Sequence, residues 1–336
     1  MTGGAGGAGS NAVGAGAAGS DGGAGGGGGE GGRRGREGDV PAGGTEGGEL
    51  GPMADRIAAV VVNYESGSSL ATCVSDLKEA GLRELAVVDN GSTDGSLATA
   101  ESAVPGIEVI VPGGNLGYGA AANRGVAATV APLVLVCNPD LEVPAGAVAA
   151  LVDALDADAG CALVGPLIRT PSGERYPSAR HFPSMVDAAG HAVLGIFAPD
   201  NRFTRKYQRS ELDGAGGDVL RVDWVSGACF LVRRTAFEEV GGFDESYFMY
   251  AEDVDLCWRL ERSGWRVAYS PGAEVIHIQG QSTDRHPYRM ILEHHRSLLR
   301  FASRSSVGWR RALLPLVAIG VVTRACLACL ARVTGR

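Results

Sequence analysis

The run Val134-Leu135-Val136-Cys137-Asn138-Pro139-Asp140 passes from apolar residues straight into two oxygen-bearing side chains. Its apolar half has the composition of a buried parallel strand. Asn138 and Asp140 then fall at the strand's carboxyl end, the edge of an open α/β sheet where ligands bind. A single proline separates the two side chains, which lets both face one hard cation. A cation held by so few protein oxygens completes its shell with a ligand's phosphates. The spacing points to a metal–diphosphate site. Four more polar clusters accompany it. Asn63-Tyr64 and Asp89-Asn90-Gly91-Ser92 close two other apolar runs, and Gly113-Gly114-Asn115-Leu116-Gly117-Tyr118-Gly119 leads from a third into a helix bearing Asn123 and Arg124. Glu252-Asp253-Val254-Asp255 opens a later helix. Each cluster alone is ordinary, since a Gly-rich loop is usually a turn and an acidic cluster a solvated helix start. Four of the five on one sheet edge form the signal.

Strands predicted over 57–63, 85–89, 107–111, 133–137 and 162–167 alternate with helices that begin near residue 70 and residue 96 and span 117–129 and 147–155. Such alternation predicts an α/β fold with a mostly parallel, doubly wound sheet. Residues 169–218 hold several Pro and Gly and no sustained period, so a loop-rich insertion is expected there. Strands are expected again within 222–233, a helix over 253–262, short strands at 267–269 and 275–278, and a helix over 288–302.

Residues 1–52 are almost entirely Gly, Ala, Ser and scattered charges. They cannot bury enough apolar surface to offset chain entropy and are expected to be a disordered tail. They lack the continuous apolar core of a signal peptide, which predicts a cytoplasmic protein. A net charge of −8 argues against a general nucleic-acid binder. Seven cysteines are spread singly apart from Cys326 and Cys329, which suit an apolar helix in a reducing compartment. The segment 313–333 is strongly apolar but interrupted by Arg324, with Trp309, Arg310 and Arg311 before it and Arg332 near its end. A central arginine costs roughly 2.5–3.5 kcal/mol in a spanning helix. An amphipathic helix lying on a membrane surface is therefore the expectation. The domain plan is a tail over 1–52, a main domain over 53–302 (a nucleotide half, 53–168, and an acceptor half, 169–302) and a membrane-associating segment over 303–336.

The Gly-rich stretch is not a dinucleotide fingerprint, which would follow the first strand with an acidic residue about 20 positions later. A P-loop lysine is also lacking. Metal, together with Arg124 or Arg296, is left to neutralise phosphate. Val88-Asp89-Asn90-Gly91-Ser92-Thr93-Asp94-Gly95, Asn115-Leu116-Gly117-Tyr118-Gly119, Asn138-Pro139-Asp140 and Phe248-Met249-Tyr250-Ala251-Glu252-Asp253-Val254-Asp255-Leu256 resemble the inverting glycosyltransferases of family 2, in the expected order from about residue 57 to residue 301. Gly165-Pro166-Leu167-Ile168-Arg169, Tyr176-Pro177-Ser178-Ala179-Arg180 and His191-Ala192-Val193-Leu194-Gly195 look like the actinobacterial rhamnosyltransferases of cell-wall linker synthesis.

The resemblance implies a GT-A fold, a Mg²⁺ or Mn²⁺ cofactor, dTDP-L-rhamnose as donor and a polyprenyl-diphosphate-linked acceptor such as N-acetylglucosaminyl-diphospho-decaprenol. Rival readings are a family 2 transferase with another donor or acceptor and a silent nucleotide-sugar-binding protein. By the same resemblance Asn63, Tyr64, Asp89, Asn90, Asn115, Gly117, Tyr118, Asn123, Arg124 and Asn138 surround the nucleotide-sugar. Tyr64 stacks on the base, and Asn90, where many relatives have aspartate, meets the base's imide. Asp140 is the direct metal ligand, joined by His277, while His295 or Arg296 lies near the diphosphate. Asp253 is the general base, with Glu252 as the lesser candidate, and Asp255 is left to cap or salt-bridge the helix. Trp224, Ser226 and Gly227 are expected to floor the acceptor pocket, where an indole offers a flat apolar face to a sugar.

Overall fold

A computed structural model describes residues 53–180, 182, 217–278 and 287–333. The glycine-rich tail, most of the expected insertion and the motif at 191–195 lie outside these residues. In chain order the elements are α1 (Met53–Arg56), β1 (Ile57–Asn63), α2 (Ser69–Glu79), β2 (Glu84–Asp89), α3 (Ser96–Ala103), β3 (Glu108–Ile110), α4 (Tyr118–Ala128), β4 (Leu133–Cys137), β5 (Leu141–Glu142), α5 (Ala147–Asp156) and β6 (Cys161–Arg169). They continue as β7 (Arg175–Tyr176), β8 (Ala179–Arg180), β9 (Leu220–Val222), β10 (Trp224–Val225), β11 (Cys229–Arg233), α6 (Arg234–Glu239), α7 (Glu252–Arg262), β12 (Arg266–His277), α8 (Pro287–Ser305), a 3-10 turn (Gly308–Leu313) and α9 (Leu314–Val333).

The sheet runs β3-β2-β1-β4-β11-β6-β12-β5, with β7 beside β6 and β9 beside β12. Side chains alternate across it with the two-residue period of a strand. Ile57, Ala59 and Val61 join the core under α2 and α5, and Val60 and Val62 join the core under α4. Helix α2 buries Leu70, Cys73, Val74 and Leu77 on one face.

Register explains the edge that carries the polar clusters. β1 is parallel to β2, with Asn63 opposite Asp89, and parallel to β4, with Val61 opposite Cys137. β11 runs antiparallel to β4, so its first residue, Cys229, lies opposite Cys137. β12 is parallel to β6 and ends at His277, opposite Leu141 of β5. The ends of β1, β2, β4 and β12 and the start of β11 thus share one edge.

Two expectations are corrected here. The short strands at 267–269 and 275–278 are one strand, β12, because pairing with β6 resumes at Glu274 after a register shift at Ser270, where Pro271 and Gly272 intervene. In α9, Arg324 does not interrupt the apolar surface. The exposed Leu316, Ile319, Val322, Leu327, Leu330 and Val333 fall within an arc of about 140° at helical spacing. Arg324 lies outside that arc, is half-buried, and acts electrostatically on His294 of α8. The segment Gly308–Leu330 has the length and composition to cross a membrane, with a mean hydropathy of 2.2 and little of it buried.

Candidate active site

A cavity of about 650 Å³ opens at this sheet edge. Asp140, Asn138 and His277 line one part of it, and Glu252, Asp253, Trp224, Ser226 and Gly227 another. Tyr64, Asn90, Asn115 and Tyr118 also reach it. The two carboxylates that the sequence put in separate roles therefore face one space, although they are more than a hundred residues apart in the chain.

Asp140 is held by the β4–β5 turn. Its Oδ1 lies 3.0 Å from His277 Nε2, and Asn138 Nδ2 lies 3.3 Å from the same nitrogen. The backbone carbonyl of Asp140 accepts the Ile278 N–H at 3.0 Å, which closes β12 onto the turn. His277 Nδ1 is buried without a hydrogen-bond partner.

The opposing carboxylates open α7. Tyr250 (φ 68°) and Ala251 (φ 63°) both stand in the left-handed region before it. Such backbone costs of order 1–3 kcal/mol per residue and persists where surrounding structure enforces it. The bend turns the first helical turn, with Glu252 and Asp253, toward the cavity. A carboxylate there also benefits from the helix dipole. Asp253 Oδ2 accepts the Gly227 N–H at 2.8 Å and Oδ1 the Val254 N–H at 2.8 Å. Burial raises the Asp253 carboxyl above the usual carboxylate range, and these two N–H groups and the nearby Arg180 charge oppose the rise.

Glu252 is pushed up to about 8, first by burial and then by the Asp253 charge, and its Oε2 has no hydrogen-bond partner. At neutral pH Glu252 is protonated. Folded Glu252 holds its proton between pH 4.5 and about 8, where the unfolded chain has released it. Its contribution to stability therefore falls as pH rises through that window. Glu252→Gln is expected to remove this slope, so that melting curves of variant and wild type diverge most above pH 8, with the variant melting higher.

Several expected binding residues are hydrogen-bonded within the scaffold. Asn63 is fully buried, and its Nδ2 donates to Asp89 Oδ1 at 2.7 Å, to Ser96 Oγ at 3.0 Å and to Ser92 Oγ at 3.1 Å. Asp89 Oδ2 accepts the Ser92 N–H at 3.1 Å. Both side chains are thus spent on joining the ends of β1 and β2 to the start of α3, and neither reaches the cavity. Asn63→Ala leaves several of these buried groups unpaired and is expected to cost about 2–3 kcal/mol. The denaturant midpoint should drop with an unchanged slope.

Asn90 borders the cavity, but its Nδ2 donates to the Gly117 carbonyl at 3.1 Å and its Oδ1 accepts the Leu116 N–H at 3.0 Å. Its amide clamps the Gly-rich loop. Asn115 Oδ1 accepts the Gly117 N–H at 3.0 Å in the same loop. Gly117 is itself structural: it has φ 88°, and a Cβ there would stand 2.2 Å from the Phe248 carbonyl oxygen. Asn123 is bonded to the backbone of Phe243 through both ends of its amide, at 2.9 Å each, and Arg124 pairs with Glu245 at 3.7 Å. Asp255 is fully buried against Arg259 at 2.7 Å and Arg304 at 3.3 Å, the structural part expected of it.

The diphosphate candidates are also corrected. On helix α8 adjacent residues diverge, and it is His294 that lines the cavity. His295 turns inward, with Nδ1 2.7 Å from the Ile291 carbonyl, and Arg296 lines a separate cavity of about 200 Å³ with Glu245, Glu293 and Arg300. Burial holds His294 down to about 4, helped by the charges of His295 and Arg324, so it is a neutral ring at pH 7.

Tyr176, Arg180, Tyr250 and His294, to which no site role was assigned from sequence, also line the cavity. The run containing Tyr176 and Arg180 stood out only as a likeness. What brings Arg180 into the cavity is the pairing of β8 with β10, where Arg180 lies opposite Trp224.

The sequence profile described as "Glycosyl transferase family 2" matches residues 58–241, and that of "Glycosyl transferase family group 2" matches residues 198–332. The chain belongs to glycosyltransferase family 2. It is 42% identical over 275 residues to N-acetylglucosaminyl-diphospho-decaprenol L-rhamnosyltransferase of Mycobacterium tuberculosis, spanning 78% of this chain and 89% of that protein. A low-salt glycan biosynthesis hexosyltransferase of Haloferax volcanii is 26% identical over 68% of each chain. Among solved structures, a mannosyltransferase from Pyrobaculum calidifontis in complex with GDP-Man and Mn²⁺ superposes with a TM-score of 0.52 at 17% identity, covering 84% of this chain and 76% of that one. GalNAc-T7 with UDP, GalNAc and Mn²⁺ gives 0.51 at 15% identity, covering 75% and 51%. These likenesses establish the GT-A fold of this family 2 enzyme.

Proposed function

We propose that this family 2 enzyme transfers L-rhamnose from dTDP-L-rhamnose, with inversion, to a polyprenyl-diphosphate-linked amino sugar such as N-acetylglucosaminyl-diphospho-decaprenol, at the cytoplasmic face of the membrane. The observation that carries this reading is 42% identity across 89% of a rhamnosyltransferase with that acceptor. The single cavity bearing Asp140 and Asp253 supports it chemically.

Among the described residues no group of three His, Cys, Asp or Glu side chains converges, and the two that these residues offer a cation are Asp140 and His277. That donor set fits Mg²⁺ or Mn²⁺ with a substrate diphosphate filling further positions. When bound, such an ion neutralises charge on the departing diphosphate. Asn138 stands against His277 and helps to orient it. Across the cavity Asp253 accepts the proton of the acceptor hydroxyl as it attacks the anomeric carbon. The Gly227 N–H holds the Asp253 carboxylate in place. One attack with one base gives inversion.

The exposed apolar arc of α9, with Arg310 and Arg311 before it and no acidic residue from Gly308 to Val333, supports binding to an anionic bilayer surface. Basic residues near such a surface contribute about 1 kcal/mol each. The direct test is transfer of radiolabelled sugar into lipid extract, comparing dTDP-L-rhamnose with UDP-sugars, with and without EDTA. Label entering the lipid only from a UDP-sugar would reject the donor. In vesicle sedimentation, replacing Leu316, Ile319 and Val322 by Gln is expected to lower binding about tenfold or more while soluble nucleotide binding stays unchanged.

A further inference from the structure

The proposed reaction brings two diphosphates to one cavity, one on the donor and one on the lipid acceptor. The donor's lies with Asp140 and His277 in the reading above. The carboxyl and guanidinium side chains among the described lining residues are Asp140, Glu252, Asp253 and Arg180, beside the imidazoles of His277 and His294. Of these Arg180 is the one permanently cationic group, since an arginine stays charged at any physiological pH.

Its position is fixed from two directions. Arg180 Nε donates to the Pro177 carbonyl at 2.9 Å, and its guanidinium stands over the Trp224 indole, 5.1 Å from the ring centre. Strand pairing sets Arg180 directly opposite Trp224. Its charge is felt at Asp253, which places it on the side of the cavity where the acceptor hydroxyl must lie. A planar guanidinium held over an indole is suited to bidentate recognition of phosphate.

We propose that Arg180 is the acceptor-diphosphate subsite: it binds the phosphates linking the acceptor sugar to its lipid and so sets the sugar's hydroxyl against Asp253. This rests on the functional reading above and extends it. The arginine would thereby select acceptors that are sugar diphosphates over those that are sugar monophosphates.

The test uses the full chain in detergent at saturating donor, with two synthetic acceptors, prenyl-diphosphate-linked and prenyl-monophosphate-linked N-acetylglucosamine. The wild type is expected to prefer the diphosphate in kcat/KM by about 10–100-fold, the worth of a charge-assisted bidentate contact. Arg180→Gln should bring that ratio close to one, chiefly through the acceptor KM, with the donor KM and nucleotide-induced thermal shift unchanged. Arg180→Lys, which keeps the charge but not the planar fork, should retain part of the preference, and carries the same readout if the Gln variant does not fold. Retention of the full wild-type ratio in Arg180→Gln overturns the subsite alone. So does an effect confined to the pH profile of kcat, which would make Arg180 only a partner of Asp253. A wild type that glycosylates neither acceptor from any nucleotide-sugar overturns the functional reading together with the subsite.

Discussion

Asp253→Asn is expected to lower sugar transfer by about 10²–10⁴-fold, the range that a positioned general base supplies. Donor nucleotide binding should stay near wild type. The substitution keeps shape and volume. An amide oxygen can still accept the Gly227 N–H that now goes to Asp253 Oδ2. What disappears is the capacity to take a proton, together with the acceptor for the Val254 N–H. Burial, the larger cause of the rise at Glu252, persists in the variant and keeps that carboxyl above the usual carboxylate range. Loss of kcat at unchanged donor affinity is the signature of an interaction made in the transition state. The measurement is transfer of labelled sugar alongside calorimetric titration of the nucleotide. Wild-type turnover in the variant would remove Asp253 from the chemistry.

Asp140→Ala is expected to be comparably severe but different in kind. Removing the carboxylate leaves His277 as one ligand of a two-ligand set, and several kcal/mol of stabilisation of the leaving diphosphate go with it, about 10²–10⁴ in rate. Here ground-state binding should fail too. Nucleotide-sugar affinity in the wild type should drop when EDTA is added, whereas in Asp140→Ala it should be low and indifferent to EDTA or Mn²⁺. An Asp140→Ala enzyme whose donor affinity still responds to Mn²⁺ would place the cation elsewhere. Together the two variants separate the halves of the cavity: one loses turnover alone, the other turnover and metal-linked binding.

Much of the fold was legible because its signals are local. The strand 133–137 coincides with β4, and Leu70, Val74 and Leu77 mark the buried face of α2 as helical spacing predicts. Alternation of strands and helices implied the parallel sheet, and strand ends implied the shared edge. The one reversed strand among the central six, β11, was not legible, since direction is set by tertiary pairing rather than composition. The cavity lining was legible where side chains follow strands or begin α7, as with Asp140 and Asp253, which both face it.

The reading failed where polar residues at the same edge had to satisfy one another. Asn63, Asp89 and Asn123 look like ligand-binding groups in sequence, yet each is consumed by a neighbour that becomes visible only when distant segments meet. Arg180 was missed for the converse reason. Its importance comes from a pairing across forty-four residues, with Trp224. On α8 the choice among His294, His295 and Arg296 turned on rotation about one helix axis, which short periodic patterns do not fix.

The reversal of β11 brings a connecting peptide, rather than a strand terminus, to the centre of the cavity. Within 226–228, the Gly227 N–H holds Asp253, the Gly227 carbonyl accepts the Tyr118 hydroxyl at 2.6 Å, and the Ala228 carbonyl accepts the Asn138 N–H at 2.9 Å. That span acts as the bridge of a caliper whose jaws are Asp253 and the turn that bears Asp140. Evolution of new substrate preferences in this scaffold should leave the bridge alone and work through the side chains that rim it.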